Sequence, residues 1–320
     1  MTATSNKPKR RFFRFSLRAF LLAVLLVGVA LGLKVERARR QREVVNWVQE
    51  MGGSVSYDYE IGDDGNYLNN IEPPAPEWLI ELLGIDFFDN VVLVNLVHAT
   101  QVSDVTPLAG LTNLQSLLLI DTQVADVTPL SGLTKLRMLY LNETRVSDIT
   151  PLTGLTSLRR LFLGSTQVSD VTPLAGLTNL RVLGLQGTQV AELTPLARLT
   201  SHECLLLSST QVSDVSPLSD LTSLNALYLS RTLVNDVSPL NSLTRLSWLE
   251  LDDTGVIDLT PISRLTSLNR LKLRRSLLVK ELTPLSGLTK LRKLWLEGTP
   301  MSKEEMENLK QALPQCNISH

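Results

Sequence analysis

The chain has 320 residues, a formal net charge of −1, 43% hydrophobic residues and only 5% aromatics. A near-neutral balance supplies no global field toward nucleic acid, and so few aromatics in so apolar a chain require an aliphatic core. Two cysteines, Cys204 and Cys316, and three scattered histidines, His98, His202 and His320, make neither a disulfide framework nor a metal quartet.

Residues 1–18 carry Lys7, Lys9, Arg10, Arg11, Arg14 and Arg18 and no acid, and the run AFLLAVLLVGVALGL at 19–33 is uncharged. Fifteen helical residues reach about 22 Å, short of the ~30 Å hydrocarbon core. Phe12, Phe13, Phe15 and Leu17 extend the apolar face backward, and Arg14, Arg18 and Lys34 have stems long enough to snorkel. The expectation is one transmembrane helix over 15–34, after a basic cytoplasmic stretch at 1–14. A cleaved signal peptide shares the charged start, but no A-x-A-like site follows the run. A buried soluble helix would not have basic clusters on both sides. The basic residues before the span slightly outweigh Lys34, Arg37, Arg39, Arg40 and Arg42 after it, which favours a cytoplasmic N-terminus and an extracytoplasmic remainder.

Residues 35–91 read as a juxtamembrane helix and N-terminal cap. A helix over 35–51 continues from the span. Val55, Tyr57 and Tyr59 then alternate before DDGN, which predicts a small hairpin over 54–70. Asp63, Asp64 and Asn66 lack the alternate spacing and sixth glycine of a calcium loop. PPAP breaks the chain, and PEWLIELLG predicts a short helix before the first strand.

From 92 to 301 a 22-residue frame, L-x-x-L-x-L-x-x-T-x-V-x-D-V-T-P-L-x-x-L-T-x, recurs ten times, starting at Val92, Leu114, Leu136, Leu158, Leu180, His202, Leu224, Leu246, Leu268 and Leu291. A fixed period of this size predicts a solenoid. The alternating leucines, such as Leu117 and Leu119, mark short strands that stack into a parallel sheet. A hydroxyl column, Thr100 through Thr299 with Ser276 in place of one threonine, is suited to satisfying buried turn groups. Thr-Pro or Ser-Pro follows in nine repeats, from Thr106-Pro107 to Thr283-Pro284, and reads as an N-cap with proline at the first helical position. The acids before it, as at Asp104, Asp126 and Asp148, suit a helix N-terminus. Twenty-two residues leave room only for a single turn or a 3₁₀ segment on the convex side.

This frame resembles the leucine-rich repeats of the bacterial internalin type over about residues 92–318. The resemblance implies an α/β-type solenoid with a parallel concave sheet and a short 3₁₀ or turn convex side, here preceded by a single transmembrane helix. It also implies a recognition scaffold without chemistry of its own. Threonine stands where many such repeats carry asparagine, His202 replaces a leading leucine, and Asn95 replaces a core leucine in the first copy. Residues 302–320 read as a C-terminal cap: Ser302 and Glu305 form a capping box, Met306, Leu309 and Leu313 an apolar face. Leu313, Cys316 and Ile318 read as an eleventh strand.

Function is expected on the solvent-facing side of the strands. The residue between the two core leucines runs Leu96, Leu118, Tyr140, Phe162, Gly184, Leu206, Tyr228, Glu250, Lys272, Trp295. The first part is largely apolar where polar residues would serve, and Trp248 widens it. Exposed apolar patches usually bind something, and aromatics are favoured anchors, although such residues also suit a strand for its own sake. The candidate binding residues are Leu118, Tyr140, Phe162, Leu206, Tyr228, Trp248, Arg270, Lys272, Arg274 and Trp295, with Gly184 leaving a hollow between Phe162 and Tyr228. No nucleophile, base and metal-ligand constellation stands outside the frame, so no enzyme, cofactor or metal is expected. The reading is a membrane-anchored protein that recognises another protein. An envelope scaffold that self-associates, or a regulatory subunit of an enzyme, is the alternative.

Overall fold

The computed structural model describes residues 17–61 and 72–320. The calcium-loop candidates Asp63, Asp64 and Asn66 and the basic residues before 17 lie outside them. Helix α1 runs without a break from Leu17 to Glu50, about 51 Å at 1.5 Å per residue. Residues 17–37 are exposed on every side. Beyond them one face turns inward, burying Ala38, Gln41, Val44, Val45 and Val48. The Gln41 amide donates to Asp86 Oδ1 and to the Asp89 carbonyl, each at 2.9 Å, and accepts from the Val91 N–H at 3.2 Å. Gly53 closes the corner: a Cβ there would lie 2.6 Å from the Asn95 carbonyl oxygen and 2.9 Å from Val48 Cγ1.

Strand β1 (Ser54–Tyr57) follows, then the short helix α2 (Glu77–Leu83) and β2 (Val91–Asn95). Residues 62–70 of the expected hairpin lie outside the described residues, and among those described the strand at 54 has a distant partner. It pairs antiparallel with β2, Val55 opposite Val94. Its alternation reports a partner some forty residues away, which periodicity alone does not locate.

Nine strands of three residues then stack in parallel: β3 (Ser116–Leu118), β4 (Met138–Tyr140), β5 (Arg160–Phe162), β6 (Val182–Gly184), β7 (Cys204–Leu206), β8 (Ala226–Tyr228), β9 (Trp248–Glu250), β10 (Arg270–Lys272) and β11 (Lys293–Trp295). With β1, β2 and the final β12 (Asn317–Ser319) they make one sheet of 12 strands in sequence order. The leucines on either side of the last residue of each of these strands, such as Leu161 and Leu163 around Phe162, are wholly buried. Thus each repeat covers its neighbour's leucines, the condition under which a solenoid is stable.

Register corrects three sequence expectations. Leu93 pairs with Ser116 and Val94 with Leu117, a step of 23 where the other early steps are 22. Leu96 is therefore a core residue with no exposure and not part of the solvent-facing stripe. Asn95, opposite Leu118, takes the outward place, so no core leucine is missing. The same shift puts Ala99, which is buried, and not Thr100 in the turn column. At the other end Leu294 pairs with Ile318, so Cys316 does not fill the adjoining core place and is partly exposed.

The turn after each strand rests on two local devices. The first is the hydroxyl column. Thr122, Thr144, Thr166, Thr188, Thr210, Thr232 and Thr254 each donate to the carbonyl three residues back, at 2.6–2.8 Å (Thr166 to Leu163 at 2.6 Å). The residue before each is left-handed, as at Asp121 (φ 56°), Ser165 (φ 56°) and Gly187 (φ 69°). This costs a side chain about 1–2 kcal/mol, and the N–H it exposes bonds the next repeat: Ser165 to the Gln186 carbonyl at 2.7 Å. The second device is the aspartate. Asp104, Asp126, Asp148, Asp170, Asp214, Asp236 and Asp258 each accept from the backbone N–H two residues on, at 2.8 Å. The threonine or serine is thus the first residue of the 3₁₀ turn, not its cap, with proline second, and the cap is the preceding aliphatic residue, which offers no side-chain bond. The Ser/Thr hydroxyl and the backbone N–H hold the carboxyls of Asp104, Asp126, Asp148, Asp170, Asp236 and Asp258 below the usual aspartate range. Helix α3 (Lys303–Ala312) closes the far end. Ser302 Oγ accepts from the Glu305 N–H at 3.1 Å, the Ser302 N–H donates to Glu305 Oε2 at 2.8 Å, and Met306 and Leu309 are buried.

His202 sits in a leucine place with no exposure. One ring nitrogen, Nδ1, lies 3.0 Å from the Leu199 carbonyl, which requires it to carry the proton. Nε2 is buried without a partner among the described residues. Burial pushes its pKa down to about 4, against a smaller opposing pull from the Leu199 carbonyl. The folded state therefore binds the proton more weakly than the unfolded chain. This stability is fully present above about pH 6.5, the ordinary histidine value, and is lost as pH falls toward 4.

Two outcomes are expected from urea unfolding of purified protein. Thr166→Val keeps the shape but strands the Leu163 carbonyl, and should cost about 1–3 kcal/mol, while Thr166→Ser should recover most of it; an unchanged valine variant would reduce the column to a shape preference. Lowering the pH from 7.5 to 5 should cost the wild type about 2 kcal/mol more than His202→Leu. Equal losses in the two proteins would show that the buried imidazole does not carry the pH dependence.

Candidate functional site

Each of the strands β3 to β11 buries its central residue and turns its first and third to the other side, as the alternation of side chains requires. In β4 and β8 the pattern is half-buried, buried, half-buried, and in β5 and β11 the first residue is fully exposed. The ten sequence-selected residues all lie on this outer side or at its edge, and all are partly exposed: Leu118, Tyr140, Phe162, Leu206, Tyr228, Trp248, Arg270, Lys272, Arg274 and Trp295.

They form two clusters and not one even stripe. In the first, Tyr140 and Phe162 face each other across β4 and β5, their rings stacked with centroids 4.7 Å apart and 13° between planes. Phe162 leans over Gly184: a Cβ on that glycine would come within 2.7 Å of the phenyl ring and 3.0 Å of Gln186 Oε1. The hollow expected at Gly184 is therefore filled. Glycine is there because an aromatic ring from the preceding strand occupies its side-chain space, and Gly184 itself is buried. Leu206 separates this pair from the second cluster.

The second cluster is built on Tyr228, Trp248 and Trp295. Tyr228 and Trp248 rings are 5.3 Å apart at 48°. The Arg270 guanidinium lies 4.5 Å over Trp248, and Lys272 Nζ sits between the two indoles, 5.9 Å from Trp248 and 5.6 Å from Trp295. Arg274 lies 5.9 Å from the Trp295 ring. Such cation–aromatic contacts are worth about 0.5–2 kcal/mol, and here they hold long side chains flat on the sheet. Lys272 also makes a 2.7 Å ion pair with the largely buried Glu250, and Arg274 pairs with Glu297 at 2.8 Å. Burial, with smaller contributions from Cys204 and Glu250, pushes Tyr228 up to about 12, so its hydroxyl is a neutral hydrogen-bonding group at every physiological pH.

Beside this cluster, at the carboxyl ends of the strands, lies an open pocket of 660 Å³ lined by Ser230, Arg231, Glu250, Asp252, Asp253 and Arg275 among others. Asp253 takes cations from both neighbouring repeats: Arg231 at 3.7 Å and Arg275 closer still. Asp252 Oδ1 accepts from the Arg274 N–H at 2.7 Å, and burial raises its pKa. That these acids and arginines line one open pocket was not visible in the alternation of the strands. A clear signal was missed altogether: turn positions that often hold glutamine or serine elsewhere hold Leu233, Ile257 and Leu277, with Leu278 beside it, in the seventh to ninth repeats. These side chains are 60%, 41%, 66% and 55% exposed.

Among the described residues no group of three or more histidine, cysteine, aspartate or glutamate side chains is placed to hold a metal. Burial raises the Cys204 thiol and brings that of Cys316 to about 11, so neither is a ready thiolate. His202 is fully buried and meets only backbone.

Comparison with known proteins places this architecture. A family model described as leucine-rich repeats, two copies, matches residues 112–154 and 156–198. No curated protein sequence matches the chain. Among solved structures, internalin C2 of Listeria monocytogenes is 37% identical, with a TM-score of 0.56, over 57% of this chain and 80% of its own. An internalin, InlF, of the same organism is 26% identical with a TM-score of 0.58, over 76% of this chain and 88% of its own. TLR13, solved in complex with ssRNA13, is 26% identical with a TM-score of 0.57, over 66% of this chain and 34% of its own. The repeat length, the 3₁₀ turns and these likenesses together make the chain a member of the internalin-type leucine-rich-repeat family.

Proposed function

We propose that the chain is a single-pass membrane protein whose repeats, outside the cytoplasm, recognise a protein partner on the solvent-facing, concave side of the sheet. In this reading residues 1–14 are cytoplasmic and 15–34 span the bilayer. Residues 35–91 join the span to the repeats and cap them, 92–301 are the repeats, and 302–320 close the array. The observation that carries the binding part is the second cluster. Two indoles, a phenol and three cations are held in fixed relation on a parallel ladder, and such anchors dominate protein interfaces. The paired cations argue against a phosphate chain as ligand, since Lys272 and Arg274 already have carboxylate partners at 2.7 and 2.8 Å and nucleic-acid affinity depends on cations free to neutralise phosphates. The anchor is supported by α1, whose 18-residue apolar window has a mean hydropathy of 2.2 and is nowhere buried. A helix apolar on all sides belongs in lipid or in a core, and among the described residues no core covers it. The exposed Leu233, Leu277 and Leu278 favour self-association as the second reading.

The test uses the full chain in detergent or vesicles. Partners are captured and identified, and capture is repeated with Phe162→Ser combined with Tyr228→Ser. Both rings are outside the core, so thermal unfolding should change little while partner affinity falls at least tenfold, about 1.4 kcal/mol. A variant that unfolds normally and still captures every partner would place the binding surface elsewhere.

A further inference from the structure

The amino ends of the strands carry a charge that the two aromatic clusters leave unexplained. The residue just before each of β3 to β11 reads Gln115, Arg137, Arg159, Arg181, Glu203, Asn225, Ser247, Asn269 and Arg292. Three arginines thus stand on successive rungs, before β4, β5 and β6. The backbone joins them: the Arg159 N–H donates to the Arg137 carbonyl and the Arg181 N–H to that of Arg159, each at 2.8 Å. Arg160, the first residue of β5, adds a fourth cation, aligned between Met138 and Val182. All four are exposed.

Rungs of a sheet are about 4.8 Å apart, and like charges on neighbouring rungs repel. Carboxylates would relieve such a row. Arg181 has one, Glu203 Oε1 at 3.1 Å. Among the described residues Arg137, Arg159 and Arg160 make no ion pair. Arg160 touches the Met138 sulfur, at 4.0 Å. The acids of the same repeats stand at the other end of the strands. Asp121 and Glu143 occupy left-handed turns. Glu143 is six residues along from Arg137, roughly 20 Å at strand rise and well past the ~8 Å over which salt screens charge. Asp126, Asp148 and Asp170 lie farther on and hold backbone N–H groups, and Glu192 takes the same slot. The four arginines against Glu203 leave this edge at +3 (four less one). The edge also borders a hollow. Val182, Cys204 and Ala226 lie side by side as the first residues of β6, β7 and β8. They line an open pocket of 570 Å³ together with Arg181, Glu203 and Arg245 among others, so there is room for a chain beside the row.

We propose that Arg137, Arg159 and Arg160 receive the carboxylates of an acidic segment of the protein partner, laid across the amino ends of β4 to β6. This rests on the reading of the concave side as a recognition surface, and it names the chemistry of what that surface recognises. A guanidinium fork matches a carboxylate in a bidentate pair. Nucleic acid also supplies anions, but its affinity comes from many phosphates. This row ends after about 10 Å, at Gln115 on one side and Glu203 on the other. Tyr140 and Phe162, on the same strands, already stack on each other and leave no space between them for a base.

The full chain in neutral detergent is titrated at low salt with a short labelled polyglutamate and, separately, with a polythymidylate of the same length. Three proteins are compared. One is the wild type, and one combines Arg137→Gln, Arg159→Gln and Arg160→Gln. The third combines Arg145→Gln, Arg198→Gln and Arg264→Gln, which removes the same charge from exposed sites outside the row. The row variant should bind polyglutamate at least about tenfold more weakly than the other two. It should unfold no earlier than the wild type, because the charges removed repel one another. Equal losses in the two variants, no binding of polyglutamate by the wild type, or tighter binding of polythymidylate through the row each overturn the proposal. The partner captured in the test of Phe162 and Tyr228 supplies the second arm, and it should be lost from the row variant. A partner that needs the two rings but not the row overturns the acidic contact and leaves the recognition surface standing. A partner kept by both variants overturns the surface as well.

Discussion

A single repeat of this chain presents a row of leucines that nothing within its own 22 residues can cover. Leu158, Leu161, Leu163, Leu174 and Leu177 have no exposure only because the repeats before and after lie against them. Burial of apolar surface on this scale drives the fold, but it is available only to stacked copies. Everything else follows from keeping the stack in register. The turn must be tight and identical in each copy, so the strand ends in a left-handed residue and a threonine that closes onto the carbonyl three places back. The return must begin at a fixed point, so an aspartate holds the N–H of the residue that opens the 3₁₀ turn. Both bonds are local, and each repeat carries its own.

Stacking also makes the two ends costly, because a terminal repeat would show its leucines to water. At the C-terminal end α3 covers them with Met306 and Leu309. At the other end the cover is the second half of α1, through Val44, Val45 and Val48, backed by the antiparallel β1. The helix proposed to cross the membrane is thus continuous with the one that caps the array. No flexible linker stands between them, so the repeats are presented at a defined angle and not on a tether. A recognition surface held in this way searches less volume, and its rigid anchors lose little freedom on binding.

The repeat frame was legible because each slot answers one physical need, and a slot filled ten times is hard to misread. What escaped was whatever depended on one residue of slippage or on distant pairing. The first repeat carries 23 residues to the next, and with no second copy of that irregularity to compare, Asn95 was assigned to the core and Leu96 to the surface. The described partner of β1 lies across an intervening helix, out of reach of a reading based on local alternation. Gly184 suggested a hollow because sequence shows a missing side chain but not the neighbour that leans into the space. The outer positions of the site were legible from the alternation of the strands. Their grouping into two clusters, and the open pocket edged by Asp252, Asp253 and Arg275, needed the rings and charges in place. The leucines at 233, 277 and 278 were in plain view as breaks in a polar column, yet the frame drew attention to its constant positions and away from the variable ones.

The account stands on α1 being part of the folded array and not merely its tether. Hydrogen exchange read by mass spectrometry on the full chain, and on a chain beginning after residue 50, tests this directly. The structure predicts slow exchange of 38–48 in the full chain, matching that of β2 and β3. Removal of α1 should abolish protection at β1 and β2 and weaken it progressively into the next repeats, leaving β8 to β11 protected. Rapid exchange of 38–48 in the intact protein, or repeats that keep their full protection without α1, would contradict it.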